Sequence, residues 1–335
     1  MKPATPPPLL EVKDLSIAFR TRAGLLQVTR GISFAVAPGE RIGLVGESGC
    51  GKTVSGLALM RLLPAESARV TGQILLQGRE LLGLPEKAMR SVRGREIAMI
   101  FQEPMSALDP VFTVGEQIAE AYRAHFPGHA QRARERALEL LDQVGIPLPA
   151  QRYHEYPHQL SGGMRQRVMI AMALICEPKI LIADEPTTAL DVTVQAQITL
   201  LLRELSERTG TALIFITHDL GVVAETCTRM LTMYAGEVVE DAPVDEVLLS
   251  PRHPYTSGLL RSLPRFARRR EPLVSIRGRV PSPDAMPAGC RFQPRCDHAV
   301  APCGGEQLLR TTGQPQRMVR CCESLRLDLP GVPLP

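Results

Sequence analysis

The feature that most limits what this chain can fold into is Gly46-Glu47-Ser48-Gly49-Cys50-Gly51-Lys52-Thr53, which fits the pattern G-x-x-x-x-G-K-[ST]. Glycines at these places let the backbone wrap closely, so that successive N–H groups point inward at anionic oxygens. An apolar run, Arg41–Val45, feeds the loop, and residues 52–63 after it have the composition of a helix. Strand, glycine loop, helix is the order a phosphate-binding βα unit requires, and the helix adds its positive N-terminal end. The spacing predicts that Lys52 reaches the β- and γ-phosphates of a nucleotide and that Thr53 gives its hydroxyl to Mg²⁺. Chance would produce the pattern in roughly one per cent of chains this long. The competing reading, a tight turn that merely opens a helix, loses to the strand before it. Cys50 occupies a variable position of the motif.

Around this unit the pattern is that of a mixed α/β protein. Residues 9–19 (LLEVKDLSIAF) alternate as a strand does, and 31–36 lead into a second one before the Pro38-Gly39 turn. Residues 104–176 read as mostly helical. Ala133, Ala137 and Leu141 recur four apart, with Leu138 and Val144 near the same face and Gly145 as a helix stop. Two buried-type strands follow, 180–183 and Ala212–Thr217, with a helical stretch near 195–209 between them. That alternation argues for a mainly parallel sheet with helices on both faces. After about residue 250 Pro becomes frequent, the periodicity fades and cysteines gather, so a boundary is expected there. The expected division is a disordered arm over 1–8, a nucleotide-binding domain over 9–250 with a helical subdomain at 104–176, and an extension over 251–335.

The second chemical element is Ile180-Leu181-Ile182-Ala183-Asp184-Glu185, an apolar strand ending in two acids. Alone it would be an ordinary strand end. After a phosphate loop it reads as the place where Asp184 holds Mg²⁺ through water and Glu185 orients and activates the attacking water. The third is Leu160-Ser161-Gly162-Gly163-Met164-Arg165-Gln166-Arg167, where a hydroxyl and two exposed glycine N–H groups open a helix as a second anion site.

With LSGG in this setting the chain resembles the ABC ATPase family over roughly residues 9–250. The resemblance implies a RecA-like P-loop core with an antiparallel β subdomain and an inserted helical subdomain. It implies hydrolysis of ATP with Mg²⁺, by two subunits joined head to tail so that each Ser161-Gly162-Gly163 turn closes on the other's ATP. Matches fall in the family's order: Gln102 in IFQEP for the Q-loop, Ala189-Leu190-Asp191 for the D-loop, and His218 in ITHD for the histidine that touches the γ-phosphate. Phe19 stands where the family stacks an aromatic on adenine; a core side chain at a strand end is the plain alternative. Glu185 and His218 are both present, as a hydrolysing site requires.

The tail narrows the resemblance. Ser250-Pro251-Arg252-His253-Pro254-Tyr255-Thr256, then Leu259, Leu260 and Leu263-Pro264, resemble the segment joined to the ATPase domain in the oligopeptide/dipeptide subfamily. Cys290, Cys296, Cys303 and Cys321 follow in the spacing C-x5-C-x6-C-x17-C. Four thiolates would lend order to a tail too poor in apolar residues for a core. Zn²⁺ or a [4Fe–4S] cluster would each accept four cysteines, and free thiols remain a third reading. The subfamily resemblance implies the iron–sulfur cluster, with Cys321 rather than Cys322 as the fourth ligand. Cys50, Cys176 and Cys227 are scattered and read as structural or incidental.

Composition removes other classes. A formal charge of +4 over 335 residues gives no ground for a nucleic-acid partner, although Arg265, Arg268, Arg269 and Arg270 form one local concentration. The longest apolar stretch, 168–176, is half the length a bilayer demands, and the N-terminus lacks the apolar core of a secretory signal. Composition alone leaves a chain that stays in the cytoplasm unless a partner holds it at a membrane. The subfamily resemblance implies a peripheral subunit on the cytoplasmic face of the inner membrane that energises uptake of di- or oligopeptides with a related second ATPase subunit, two transmembrane permease subunits and a solute-binding protein. Nickel, glutathione or another small solute is the alternative cargo. A soluble ABC ATPase acting on DNA or ribosomes is the alternative class, disfavoured by the single ATPase half and the lack of heptads.

Overall fold

The computed structural model describes residues 7–22, 24–102, 107–188, 190–262, 275–282, 285–314 and 316–332. Most of the expected arm, the arginine concentration at 265–270, Leu263-Pro264, Ala189 and the Glu103-Pro104 part of the Q-loop segment lie outside them. In chain order the strands are β1 (Leu10–Thr21), β2 (Gly24–Val36), β3 (Arg41–Val45), β4 (Ala68–Leu76), β5 (Arg79–Glu80) and β6 (Ile97–Ile100). Then come β7 (Ile180–Asp184), β8 (Ala212–Thr217), β9 (Arg229–Tyr234), β10 (Glu237–Pro243), β11 (Arg310–Thr311) and β12 (Met318–Val319).

The chain divides into two compact units. One gathers the residues up to Val36, Arg41–Leu82 and everything from Ile216 onward; the other holds Ala37–Glu40 and Gly83–Phe215. In the first unit β2, β1, β4 and β5 form an antiparallel sheet in that order. The alternation read over 9–19 belongs to β1, whose Leu10, Val12, Leu15 and Ile17 are buried. Beside it, β3 pairs in parallel with β9, and β9 turns at Ala235-Gly236 into the antiparallel β10. β12 lies antiparallel to β10, and β11 to β12.

Residues beyond 250 are fastened to β10 by charge. Glu240 is fully buried, and its carboxylate accepts from Arg317 Nη2 at 2.6 Å, from the Arg252 N–H at 2.8 Å and from the His253 N–H at 3.0 Å. Glu237 takes Arg30 and Arg291, and Asp241 takes both ends of Arg229 at 2.6 Å. Buried charges are tolerable only when paired, and removing one partner costs about 3–5 kcal/mol. Tyr234, Tyr255 and Phe292 pack as rings 4.7–5.4 Å apart and supply the apolar part of the same junction.

In the second unit β6 and β7 run parallel, from Ile97 against Ile180 to Ile100 against Ala183, and β8 follows β7. All residues of β6 and β7 are buried, which is why they read as continuous apolar runs. The helices Val114–Arg123, Ala130–Gln143 and Gly162–Leu174 pack on one another. The Ala130–Gln143 helix buries Ala133, Ala137, Leu140 and Leu141, so Leu140 takes the place the spacing offered to Leu138, which is half-buried. It ends ahead of Gly145 at φ 75°, in the left-handed region that favours glycine.

His253 gives this fold a pH response. It is 1% exposed and caps the Pro254–Arg261 helix, its Nδ1 accepting the Tyr255 N–H at 3.1 Å. Burial first, and the nearby Arg320 charge second, push its pKa down from 6.5 to about 3. The unfolded chain then binds more protons than the folded one between those values, so stability is intact above pH 6.5 and is lost as pH falls through that window. Denaturant unfolding at pH 7 and pH 5 should show the wild type losing about 2 kcal/mol more than His253→Asn, which keeps a capping oxygen without titrating. Identical pH responses of the two proteins would contradict this.

Candidate nucleotide site

The phosphate loop leaves the C-terminal end of β3, whose Ile42–Val45 portion is buried. Gly46 has φ 153°, and a Cβ there would lie 2.2 Å from the Met233 carbonyl oxygen; Gly51, at φ 98°, would place one 2.6 Å from Thr29 Cγ2. The first glycine of GESGCGKT thus passes close against β9 and the third close against β2, where a side chain would collide. Lys52 is 5% exposed, and its ammonium donates to the carbonyls of Gly46 at 2.8 Å and Glu47 at 3.1 Å. The charge is thereby held over the centre of the loop. Burial raises the pKa of the adjacent Cys50 thiol although Lys52 opposes it, so this cysteine is an inert filler. Ser48 and Gly49 border a cavity of about 420 Å³ that Leu26, Gln27 and Val28 of β2 also line. Thr53 is half-buried in the first turn of the Lys52–Leu59 helix. Phe19 is half-buried in β1, paired across the sheet with Leu26 and Ala68.

His218 stands exposed between β8 and the Leu220–Thr226 helix. The turn is fixed on either side. The Asp219 N–H donates to Thr217 Oγ1 at 3.0 Å, and Asp219 Oδ1 accepts from Gly221 and Val222 at the helix start.

In the other unit, Asp184 ends β7 with 1% exposure, and Glu185 follows at φ 43°. A non-glycine residue in that region carries backbone strain of about 1–3 kcal/mol, which persists only where the surroundings impose it. One carboxylate oxygen of Glu185, Oε2, accepts from Gln102 Nε2 at 3.0 Å and from Thr188 Oγ1 at 2.9 Å. Sequence reading assigned Gln102 and Glu185 to separate motifs; here they touch. Thr188 was missed, since a threonine three residues beyond an acid carries no signal by itself.

Ser161 caps the Gly162–Leu174 helix, its Oγ accepting the Met164 N–H at 3.3 Å. Its own O–H remains the group that can turn toward an anion. Gly163 lets the turn approach the Val192–Thr209 helix: a Cβ there would lie 2.8 Å from Val194 Cγ1. Asp191 caps that second helix through the Val194 N–H at 2.9 Å. The serine–glycine turn and Asp191 are therefore parts of one packed corner.

The tail cysteines are only partly brought together. The Cys290 N–H donates to the Cys303 carbonyl at 2.8 Å, and Cys303 Sγ lies 3.7 Å from Cys322 Sγ. Burial pushes the Cys296 thiol up to about 11 and the Cys321 thiol up to about 12. Among the described residues no group of three or more His, Cys, Asp or Glu is placed to hold a metal ion. The four-cysteine expectation finds no support in this arrangement, and the sulfur that makes contact with Cys303 Sγ at 3.7 Å is that of Cys322.

Comparison with known proteins agrees with the two halves of the sequence reading. Residues 29–188 match the model of the ABC transporter family, and residues 239–303 match that of the oligopeptide/dipeptide transporter C-terminal region. A Brucella melitensis protein named as a peptide import ATP-binding protein is 51% identical over 308 residues, covering 88% of this chain and 91% of that protein. A Sinorhizobium fredii protein named as a peptide ABC transporter ATP-binding protein is 50% identical over 94% of this chain and 95% of its own length. Among solved structures, an ATP-binding cassette captured as a dimer after hydrolysis, with ADP and phosphate, superposes with a TM-score of 0.63 at 26% identity. It covers 70% of this chain and 98% of that one. A Clostridium perfringens protein described as part of an ABC transporter complex gives 0.61 at 27% identity, over 72% of this chain and 90% of that one.

The shared acceptor on Glu185 yields a test. Thr188→Val removes a hydrogen bond that orients the carboxylate, and such bonds to a charged group contribute about 1.5–3 kcal/mol. Turnover of ATP should fall roughly tenfold while the melting temperature barely moves; unchanged turnover would mean that Thr188 does not orient Glu185.

Proposed function

The chain belongs to the ABC transporter ATP-binding family, and from that premise we propose that it is the ATP-hydrolysing subunit of an importer for di- and oligopeptides. ATP hydrolysis follows from the family. The peptide cargo is supported by the match of residues 239–303 to the oligopeptide/dipeptide transporter region and by relatives named for peptide import. Nickel or glutathione would be moved by the same motor, because cargo is chosen by other subunits.

The reaction is ATP + H₂O to ADP + phosphate. The single observation that carries the assignment of roles is the Glu185 carboxylate, strained in backbone and held by Gln102 and Thr188 at the end of a buried strand. In our reading Glu185 takes the proton from the attacking water as that oxygen bonds to the γ-phosphorus, and the bond to the β-phosphate oxygen breaks. Lys52 and the N–H groups of Gly46, Ser48, Gly49 and Gly51 hold the phosphates, while the N–H of Glu47 is given to the Tyr255 hydroxyl and that of Cys50 to the Glu47 carbonyl. His218 acts on the γ-phosphate, and Gln102 orients the water. Phe19 stacks on the adenine. Thr53, Asp184 and Gln102 offer hydroxyl, carboxylate and amide oxygens, a donor set that suits Mg²⁺. The ion would neutralise charge on the β- and γ-oxygens. Ser161, Gly162 and Gly163, with Asp191 in the same corner, act on the nucleotide of a second ATPase subunit.

No helix among the described residues is long and apolar enough to cross a membrane. The family places such subunits at the membrane periphery with permease partners, and we assign this one to the cytoplasmic face of the inner membrane. A related second ATPase and a solute-binding protein complete the proposed complex. The [4Fe–4S] cluster on Cys290, Cys296, Cys303 and Cys321 rests on the subfamily resemblance alone, and no step passes through it.

Glu185→Gln keeps the hydrogen-bonding shape and removes the base. It should retain ATP binding and lower turnover by about 10²–10⁴-fold. Near-normal turnover in the assembled transporter would remove Glu185 as the base.

A further inference from the structure

Position 47 is a variable place in the loop motif, where the chemistry of phosphate binding demands no particular side chain. In this protein its polar groups are nonetheless engaged. The Glu47 N–H donates to the Tyr255 hydroxyl oxygen at 2.9 Å, and its carbonyl accepts from Lys52. Its carboxylate takes two bonds from Arg295, Nη1 to Oε2 at 2.8 Å and Nη2 to Oε1 at 3.1 Å. Tyr255 and Arg295 both lie beyond residue 250, the latter 248 positions along the chain from Glu47.

Arg295 is itself fixed. Its side chain is 6% exposed, its Nε donates to the Arg277 carbonyl at 2.9 Å, and its guanidinium lies over the Tyr234 ring at 5.7 Å. Tyr255, fully buried, leans on Tyr234 and Phe292. A planar fork pinned on three sides gives a carboxylate a defined position, not just a counter-charge. The cavity beside the loop repeats the relation: Glu47, Ser48, Gly49 and Cys50 border it from the loop, and Val280 and Met286 from the tail.

We propose that Arg295 is a positioning residue for ATP binding, holding Glu47 so that the loop backbone is already ordered when phosphate arrives. The segment beyond 250 is on this account a working part of the nucleotide pocket. The physical gain is pre-organisation: a loop ordered only on binding loses affinity by its ordering entropy, and a pinned loop does not. This inference rests on reading residues 46–53 as the phosphate loop.

The test uses the full-length chain for ATP dissociation constants, by competition against a fluorescent ATP analogue, and the assembled transporter for KM and kcat. Arg295→Met keeps the apolar stem and removes the fork. It should raise Kd and KM for ATP about tenfold with kcat within about twofold. Glu47→Gln should do the same from the loop side, and the double variant should be no worse than either single one. Arg295→Lys should recover part of the loss. Wild-type Kd and KM in Arg295→Met, losses that multiply in the double variant, or an equal fall in kcat would each overturn the proposal. Should Arg295→Met fail to fold, Glu47→Gln and Arg295→Lys decide alone, by Kd. Lys52→Ala separates the premise from the inference. If it still binds ATP normally, the phosphate-loop reading fails and the proposal with it. If it loses ATP while Glu47→Gln and Arg295→Met bind as wild type, only the role of Arg295 fails.

Discussion

Everything in this molecule depends on how closely a peptide backbone can be bent around an anion. At Gly46 a side chain of any size would collide with the carbonyl of Met233 in the neighbouring strand. The loop can therefore begin only with glycine, and only next to β9. Lys52 then folds back onto the loop's own carbonyls, which keeps a nearly buried ammonium paired until a phosphate replaces them. The loop follows β3 and Asp184 ends β7, two short strands that are almost wholly buried.

The strands nearest the chemistry were the ones most legible in the sequence. β3, β7 and β8 are short and mostly apolar, with nearly every residue buried, so their composition announces them. The helix over 130–143 was legible for the same reason in another period: Ala133, Ala137 and Leu141 recur at helical spacing. β9 and β10 went unread. β10 carries Glu237, Glu240 and Asp241 inside the protein, and three acids in seven residues look like a surface. Only their arginine partners, Arg30, Arg291, Arg317 and Arg229, make the burial possible, and those lie up to about two hundred positions away. Long-range charge pairing leaves no local periodicity to find.

The site divides in the same way. Residues fixed by covalent spacing, from Gly46 to Thr53 and at Asp184-Glu185, follow from the sequence. Contacts between distant segments do not: Thr188 and Gln102 meeting on one oxygen of Glu185, Gly163 against Val194, and Arg295 on Glu47. The tail shows the converse limit. The spacing of Cys290, Cys296, Cys303 and Cys321 left cluster, zinc and free thiols open, and only the subfamily resemblance favoured the cluster; side-chain proximity is decided by the fold, which sets Cys303 against Cys322.

The central claim is that this motor works only when its serine–glycine turn completes a nucleotide site on a second ATPase subunit. Ser161 stands exposed at the start of its helix, so a large cation there disturbs an interface without disturbing a core. ATP turnover by the assembled transporter carrying Ser161→Arg tests this most directly. The account predicts loss of turnover with ATP binding to the isolated chain retained. Turnover equal to wild type in that complex would contradict it.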